Sequence, residues 1–167
     1  NVLHISGDNF LQGRRVSAES YYFSKYAHIW GWATWRRAWL LYHTWDTFSP
    51  ELDFRIFRTR SERGMWKNLV EQMRAQRMEH TWDYQWVFTI WNNNGLAIIP
   101  NVNMISNVGF GIEATHTKNY ENPAETFDFT ISNHPSQLSL DKKADDFTFK
   151  YIYKPKSLWE RIKNKII

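Results

Sequence analysis

Residues 28 to 39, HIWGWATWRRAW, place four tryptophans within twelve positions around a single glycine. Tryptophan is large and amphipathic, so a folded chain either buries such indoles in its core or holds them against a ligand. The segment therefore fits four structures: an ordinary core, a carbohydrate platform, a nucleic-acid stacking surface or a membrane-interface belt. The rest of the sequence has to distinguish them.

The size and composition of the chain favour a folded domain. It has 167 residues, of which 43% are hydrophobic and 17% aromatic, enough for one domain with a sizeable core. The absence of cysteine excludes disulfides and thiolate metal sites and is typical of a reducing compartment. No apolar run approaches the roughly 20 residues of a membrane-spanning helix. We therefore expect a cytoplasmic location.

The net charge of +4 includes a cationic C-terminal segment, which divides the chain into residues 1–150 and a basic helix or tail at 151–167. A mild basic excess favours anionic partners such as nucleotide sugars, phosphates or an anionic membrane face. An apolar stripe in the basic segment would suit contact with the inner membrane face, although an ordinary basic surface helix explains it more simply. This stripe consists of Leu158, Trp159, Ile162 and Ile166.

Hydrophobic periodicity predicts a mixed α/β fold. Strands are predicted at VLHIS, SYYFSKY, LAIIP and TFDFTIS, with a further β-rich run at NVNMISNVG and an aromatic strand after residue 147. Helices are predicted from Thr34, a candidate N-cap, at residues 65–78 and at residues 81–95, where Gly95 is a natural C-terminal stop. The apolar faces of the second and third helices are predicted at Trp66, Leu69, Val70 and Met73, and at Trp86, Val87, Ile90 and Trp91.

The tryptophans of the opening segment divide into two groups. Trp35 and Trp39 share one face of the predicted helix, so we expect them in the core. Trp30 and Trp32 lie in the preceding turn, where two indoles with a glycine between them leave room for the apolar face of a sugar ring. A nucleic-acid surface would interleave the aromatic residues with many more cations.

Asp83, in TWDYQW, is the first candidate for chemistry. A carboxylate at a helix start is often only a favourable partner of the helix dipole. Asp83 also shares a helix face with Val87 and Ile90, however, which would direct it inward among aromatic side chains. A carboxylate there could accept a proton from a bound hydroxyl.

His116, in the loop sequence GFGIEATHT, is the second candidate. The glycines allow a close backbone approach to a ligand, and a loop histidine can bind a metal or a phosphate. Most loop histidines are nevertheless only solvated.

Two long stretches, SYYFSKYAHIWGWATWRRAW and WDYQWVFTIWNNNGLAIIPNVNMISNVGFGIEATHT, resemble the C-terminal half of bacterial GT-A nucleotide-diphospho-sugar glycosyltransferases, sometimes labelled haemolytic-protein-like. The likeness runs from Leu3 to Thr117, with a weaker tail to Asp146. A remoter likeness to N-acetylglucosaminyltransferase I rests on the same order of an Asp-Asn turn, a Gly-Trp segment, a Trp-Asp helix start and a late histidine.

The resemblance implies a partial GT-A fold whose residues 1–150 form the acceptor and catalytic half. The nucleotide-binding half, with the acidic motif that holds a divalent manganese or magnesium ion, would precede Asn1 and is absent from this chain. The abrupt start NVLHIS fits a piece of a longer protein, so we expect an exposed first strand and no activity for the piece alone.

By the same resemblance, Asp83 is the base of an inverting transfer and His116 lies near the metal and the diphosphate. The segment of Trp30, Gly31 and Trp32 lines the sugar pocket. Asp8 and Asn9 lie at the edge of the site.

The implied partners are a nucleotide-sugar donor and a glycan or lipid-linked acceptor, as in surface glycan or polysaccharide synthesis, with no nucleic acid. Two alternatives remain: a noncatalytic carbohydrate-binding module and a peripheral membrane interaction domain. Exposed tryptophans without a buried carboxylate would favour the binding module.

Overall fold

A computed structural model describes residues 1–42, 53–75, 82–106 and 125–154. Within these residues the fold is mixed α/β, as predicted, with three strands and four helices. The strands are β1 (Val2–Ile5), β2 (Tyr21–Ser24) and β3 (Leu96–Pro100), and the helices are α1 (Arg36–Trp39), α2 (Arg60–Arg74), α3 (Trp82–Asn92) and α4 (Lys142–Thr148). A short 3-10 turn covers Phe54–Ile56, and a π-helical turn, Phe149–Tyr153, follows α4.

The described strands form one mixed sheet in the order β1-β3-β2. β1 runs parallel to β3, with Val2 opposite Leu96, and β2 runs antiparallel to β3, with Tyr22 opposite Ile99. The strand predictions VLHIS, SYYFSKY and LAIIP are therefore confirmed. Because β1 and β3 are parallel, the segments that follow them leave from the same edge of the sheet.

The outer side of β1 is covered by the tryptophan-rich segment. Ile5 and Ala33 exchange two backbone hydrogen bonds of 2.9 and 2.8 Å. The Thr34 hydroxyl donates to the Leu3 carbonyl oxygen at 2.6 Å. β1 is thus at the edge of the described sheet, as expected, but it is not exposed, because Leu3 and His4 are buried and residues 33 and 34 hydrogen-bond to it.

Helix α1 is shorter than the periodicity predicted, and the expectation of a core position for Trp35 and Trp39 is wrong. Their exposed fractions are 38% and 43%, and within α1 it is Ala38 that is buried. The hydroxyl of the expected N-cap, Thr34, is used by β1, so the helix starts without a side-chain cap and closes only one turn. A helix of one turn packs only a small face against the rest of the protein, and in α1 that face is occupied by Ala38 and not by the two indoles.

Three further strand predictions are not confirmed. Residues 101–106 form no strand, and residues 107–109 lie outside the described residues. Residues 126–132 form no strand either. Instead, Ser20 holds the end of this segment, since its hydroxyl accepts from the Ser132 backbone N–H at 2.9 Å. The aromatic residues after 147 belong to helical structure, because Asp141 caps α4 by accepting from the backbone N–H groups of Lys143 and Ala144.

The core is built largely from the indoles of α2 and α3. Trp66 and Trp86 are fully buried, and Trp91 is 6% exposed. Trp66 and Trp91 meet edge to face, with ring centroids 4.7 Å apart and planes at 88°, which is a favoured aromatic geometry. The predicted apolar faces of these two helices are therefore confirmed.

A buried ion pair fastens the end of β2 to the start of α2. The Lys25 ammonium lies 2.6 Å from the Glu62 carboxylate, and both side chains are at most 5% exposed. Glu62 also accepts from the Tyr26 hydroxyl and, at 2.8 Å, from the Arg58 backbone N–H. The carboxylate thus has a partner for each oxygen, which is the condition under which a buried charge is tolerated.

Glu62→Gln should lower the free energy of unfolding by about 3–5 kcal/mol, because the amide keeps hydrogen bonds but leaves the buried Lys25 ammonium without its counter-charge. Chemical denaturation at pH 7 measures this loss. The matched control is Glu71→Gln, on the exposed face of the same helix. It should change stability by no more than about 0.5 kcal/mol. Equal losses in the two variants would show that the ion pair does not fasten α2.

Candidate functional site

The segments that follow β1 and β3 meet at the carboxyl edge of the sheet. The Asn9 backbone N–H donates to the Asn103 side-chain oxygen at 3.1 Å, and the Met104 N–H donates to the Gly7 carbonyl at 3.0 Å. In sheets with parallel strands, ligands commonly bind just beyond the carboxyl ends of those strands. A ligand-binding site is therefore expected at this edge of the sheet.

A buried hydrogen-bond chain connects α3, β1 and the segment after β2. The Trp86 indole N–H donates to His4 Nδ1 at 2.9 Å, so Nδ1 carries no proton. The proton is on Nε2, which donates to the His28 carbonyl oxygen at 2.8 Å. Burial lowers the pKa of His4 to about 4, against the opposing effect of that hydrogen bond, so the ring is neutral at physiological pH.

Ser6 completes the attachment of His28. The His28 backbone N–H donates to the Ser6 hydroxyl at 3.1 Å, and that hydroxyl lies 2.9 Å from the His28 carbonyl oxygen. Both backbone polar groups of His28 are thereby paired with residues of β1 or its extension. The backbone that carries the neighbouring Trp30 is fixed to the sheet edge.

Gly31 forms a tight turn that only glycine allows. Its φ is +57°, and an added Cβ would lie 2.3 Å from the Ile105 side chain. The Gly31 carbonyl also approaches Gly7 so closely that a Cβ on Gly7 would lie 2.6 Å from its oxygen. Gly31 therefore joins the segments after β1, β2 and β3 and sets the directions of Trp30 and Trp32.

Asp83 and Trp30 come together at one cavity of about 90 Å³. Asp83 is half-buried in the first turn of α3 as described, and the Trp30 ring lies edge-on to Phe10 with centroids 5.6 Å apart. The lining thus combines aromatic walls with several polar groups. It includes Phe10, His28, Trp30, Asp83, Tyr84 and Tyr153.

The two tyrosines of the cavity are neutral hydroxyl groups. Burial raises the pKa of Tyr84, and the nearby Asp83 carboxylate raises it further. Burial likewise raises the pKa of Tyr153. Both side chains therefore remain able to donate a hydrogen bond across the physiological pH range.

Asp8 and His28 form a buried polar pair behind the cavity. Asp8 Oδ1 lies 3.7 Å from His28 Nδ1, and both side chains are 1% exposed. Burial raises the pKa of Asp8 to about 7 and lowers that of His28 to about 3. The backbone N–H groups of Asp8 and Trp30 offset part of the Asp8 shift without reaching full hydrogen-bond geometry. Burial therefore favours the uncharged form of both groups.

The other predicted site residues lie elsewhere. Trp32 stacks between His4 and Trp82, at centroid distances of 5.2 and 5.5 Å, and does not line the cavity. Gly31 is likewise outside its lining. Asn9 faces a second groove, of about 690 Å³. His116 and the basic segment from residue 155 onward lie outside the described residues.

His28, Phe10, Tyr84 and Tyr153 are the cavity residues that the sequence analysis did not identify. For His28, one feature of the sequence pointed to the site: it lies two residues before Trp30 in the same tryptophan-rich segment. No feature of the sequence pointed to Phe10 or Tyr153, because hydrophobic periodicity does not show which distant segments come into contact.

The implied metal can be tested against the donor atoms. Ions of the magnesium type are held by oxygen ligands, commonly one or two carboxylates together with phosphates of the substrate. The pair of Asp8 and His28 offers one carboxylate, and burial favours its protonated form. No group of three metal-ligating side chains occurs in the described part of the chain. The described residues therefore do not fit a metal site on their own.

Comparison of the chain with models of known protein families, with curated proteins and with solved structures finds no match. Among the helices of the described segments, none combines the length and the apolar composition needed to cross a bilayer.

Asp8→Asn should change the pH dependence of stability. Between pH 3.8 and about 7 the folded state keeps a proton on Asp8 that the unfolded state has released, so Asp8 makes folding less favourable as pH rises through this window. The quantity to compare is the unfolding free energy of the variant minus that of the wild type. This difference should increase by roughly 2–4 kcal/mol between pH 4 and pH 8. His28 is present in both proteins, so its own titration cancels to first order.

Denaturation of both proteins at several pH values measures this difference. A stability difference that stays constant from pH 4 to pH 8 would show that the Asp8 pKa is not raised.

Proposed function

We propose that this chain contains the acceptor side and the catalytic base of an inverting glycosyltransferase of GT-A type. The observation that carries the proposal is that Asp83 and Trp30 line the same cavity. The sequence resemblance assigned these two residues to the base and to the sugar contact, although they are 53 positions apart. A mixed sheet with its candidate site beyond parallel strand ends is compatible with that fold.

The aromatic and polar walls of the cavity suit a sugar. A pyranose ring has an apolar face that packs on an indole, and its hydroxyl groups need hydrogen-bond partners at the rim. Trp30 and Phe10 supply the aromatic surface, and Asp83, Tyr84 and Tyr153 supply polar groups. The cavity is too small for a nucleotide sugar, so it fits part of the acceptor.

Asp83 would act as a general base. Its carboxylate accepts the proton of the acceptor hydroxyl while that oxygen attacks the anomeric carbon of the donor. The bond from the anomeric carbon to the diphosphate oxygen breaks, and the nucleoside diphosphate leaves with the bonding electron pair. A single displacement of this kind inverts the anomeric configuration.

Noncatalytic carbohydrate binding is the second candidate, and exposed indoles favour it. Trp35, Trp39 and Trp82 are 38%, 43% and 41% exposed, and Trp39 stacks on Tyr42 with planes only 3° apart. These indoles belong to a different surface from the cavity that Asp83 lines. A binding module would need them and would not need the Asp83 carboxylate.

Asp83→Asn separates the two functions. In the gene product that carries this chain, transfer from UDP- and GDP-sugars with manganese should fall by about 10²- to 10⁴-fold, because the amide cannot take a proton. Asn is nearly the same size and keeps its hydrogen-bonding ability, so the melting temperature should change little. Release of nucleoside diphosphate measures kcat.

The control is Asp128→Asn, an exposed carboxylate outside the cavity, which should leave kcat unchanged. Near-normal turnover in Asp83→Asn would remove Asp83 as the base. Sugar binding without any turnover in the parent protein would favour the binding module.

A further inference from the structure

Asp8 and His28 have an unusual concentration of unpaired polar atoms. Seven buried side-chain nitrogen or oxygen atoms in the described residues lack a hydrogen-bond partner, and four of them belong to this one pair. They are both carboxylate oxygens of Asp8 and both ring nitrogens of His28. Native proteins rarely leave buried polar atoms unsatisfied, so these four atoms need a further partner, either water or a bound polar group.

The position of His28 shows where that group would lie. His28 is 2% exposed and lines the cavity that contains Asp83 and Trp30. Its Nδ1 is the nitrogen near Asp8, at 3.7 Å, so Nε2 is the ring nitrogen left for another partner. The Phe10 ring packs against the imidazole with centroids 4.5 Å apart and limits its rotation.

The chemistry of the pair suits an uncharged partner that can both donate and accept a hydrogen bond, such as a hydroxyl group. If Asp8 is ionised, the proton lies on His28 Nδ1 and Nε2 accepts a hydrogen bond. If Asp8 is protonated, it donates to Nδ1, and Nε2 carries the proton and donates. A hydroxyl can donate or accept and therefore fits both states, whereas an ammonium or a carboxylate fits only one.

The volume of the cavity limits what can present that hydroxyl. A water molecule needs about 10–15 Å³ of such space, so about 90 Å³ holds one edge of a sugar ring. Trp30 offers a stacking face for that ring, and Asp83 lies in the same cavity. Asp83 and His28 thus line one cavity that a single ring edge would fill.

We infer that His28 is a specificity-determining residue whose Nε2 binds a second hydroxyl of the acceptor sugar, next to the one that faces Asp83, and that Asp8 is a positioning residue that fixes the His28 tautomer. The inference rests on the proposed function for the identity of the sugar as acceptor. It adds that acceptors lacking this neighbouring hydroxyl bind less well.

Binding of simple sugars tests the inference without any donor. The probes are methyl glycosides of glucose, galactose, mannose, N-acetylglucosamine and rhamnose, each with its monodeoxy derivatives. Long-range proton–nitrogen NMR spectra follow the His28 ring, and the indole N–H signal follows Trp30. We expect at least one glycoside to shift both sets of signals.

The decisive comparison combines a variant with a deoxy sugar. His28→Phe should weaken binding by about 3- to 10-fold, and removal of one ring hydroxyl should weaken wild-type binding by a similar factor. The two losses should not add, because both remove the same hydrogen bond. The phenylalanine variant should fold, since neither ring nitrogen of His28 makes a full hydrogen bond to the protein among the described residues and the two rings are similar in shape. His28→Gln, which keeps a polar group near Nε2, should restore part of the affinity.

Asp8→Asn should alter the tautomer pattern of the His28 ring nitrogens while the remaining spectrum stays folded, a change that a merely structural role would not produce. His134→Phe, at an exposed histidine outside the cavity, is the matched control and should bind like the wild type.

Three results would overturn the inference: no glycoside shifts the His28 ring, His28→Phe binds as tightly as the wild type, or the two losses add. These outcomes are independent of transfer. If Asp83→Asn abolishes transfer but His28→Phe leaves the acceptor KM unchanged, the inference fails and the proposed function stands. If sugars bind at His28 but Asp83→Asn transfers normally, the proposed base fails and the hydroxyl site stands.

Discussion

The hydrogen-bond chain from Trp86 through His4 to His28 is the interaction on which the candidate site depends. It is buried, both of its donor groups have acceptors, and it joins a helix, a strand and an irregular segment. Asp83 lies one helical turn before Trp86, and Trp30 lies two residues after His28. The chain therefore fixes the two elements that bring Asp83 and Trp30 to one cavity. Substitution of one member of such a chain lowers the stability of the fold, because the other buried polar groups lose their hydrogen-bond partners.

The aromatic residues of the protein serve two structural purposes. Trp66, Trp86 and Trp91 fill the core between α2, α3 and the sheet. In the opening segment, Trp30 lies at the cavity, and Trp32 joins the aromatic stack over His4. Gly31 lies between the two indoles in a tight turn, so that Trp30 and Trp32 lie in different environments. Its positive φ and its contact with Ile105 leave no room for a side chain. The tryptophans of this protein thus fill its core and, at Trp30, line the cavity.

Periodicity predicted the three strands of the sheet and the apolar faces of α2 and α3, because burial follows directly from the side chains of each element. It failed for Trp35 and Trp39, because a pattern of spacing does not show that Thr34 would bond to β1 and leave a one-turn helix. The convergence of Asp83 and Trp30 was predicted through the resemblance alone. His28 was missed, since its importance arises from its distance to Asp8 in the folded chain.

The central claim is that a sugar binds in the cavity with a hydroxyl group at Asp83, and a crystal structure with bound glycan fragments tests it most directly. The account predicts a pyranose ring packed on Trp30, with one hydroxyl oxygen about 2.6–3.2 Å from the Asp83 carboxylate. A sugar found on the exposed indoles of Trp35, Trp39 and Trp82, with no contact to Asp83, would contradict it.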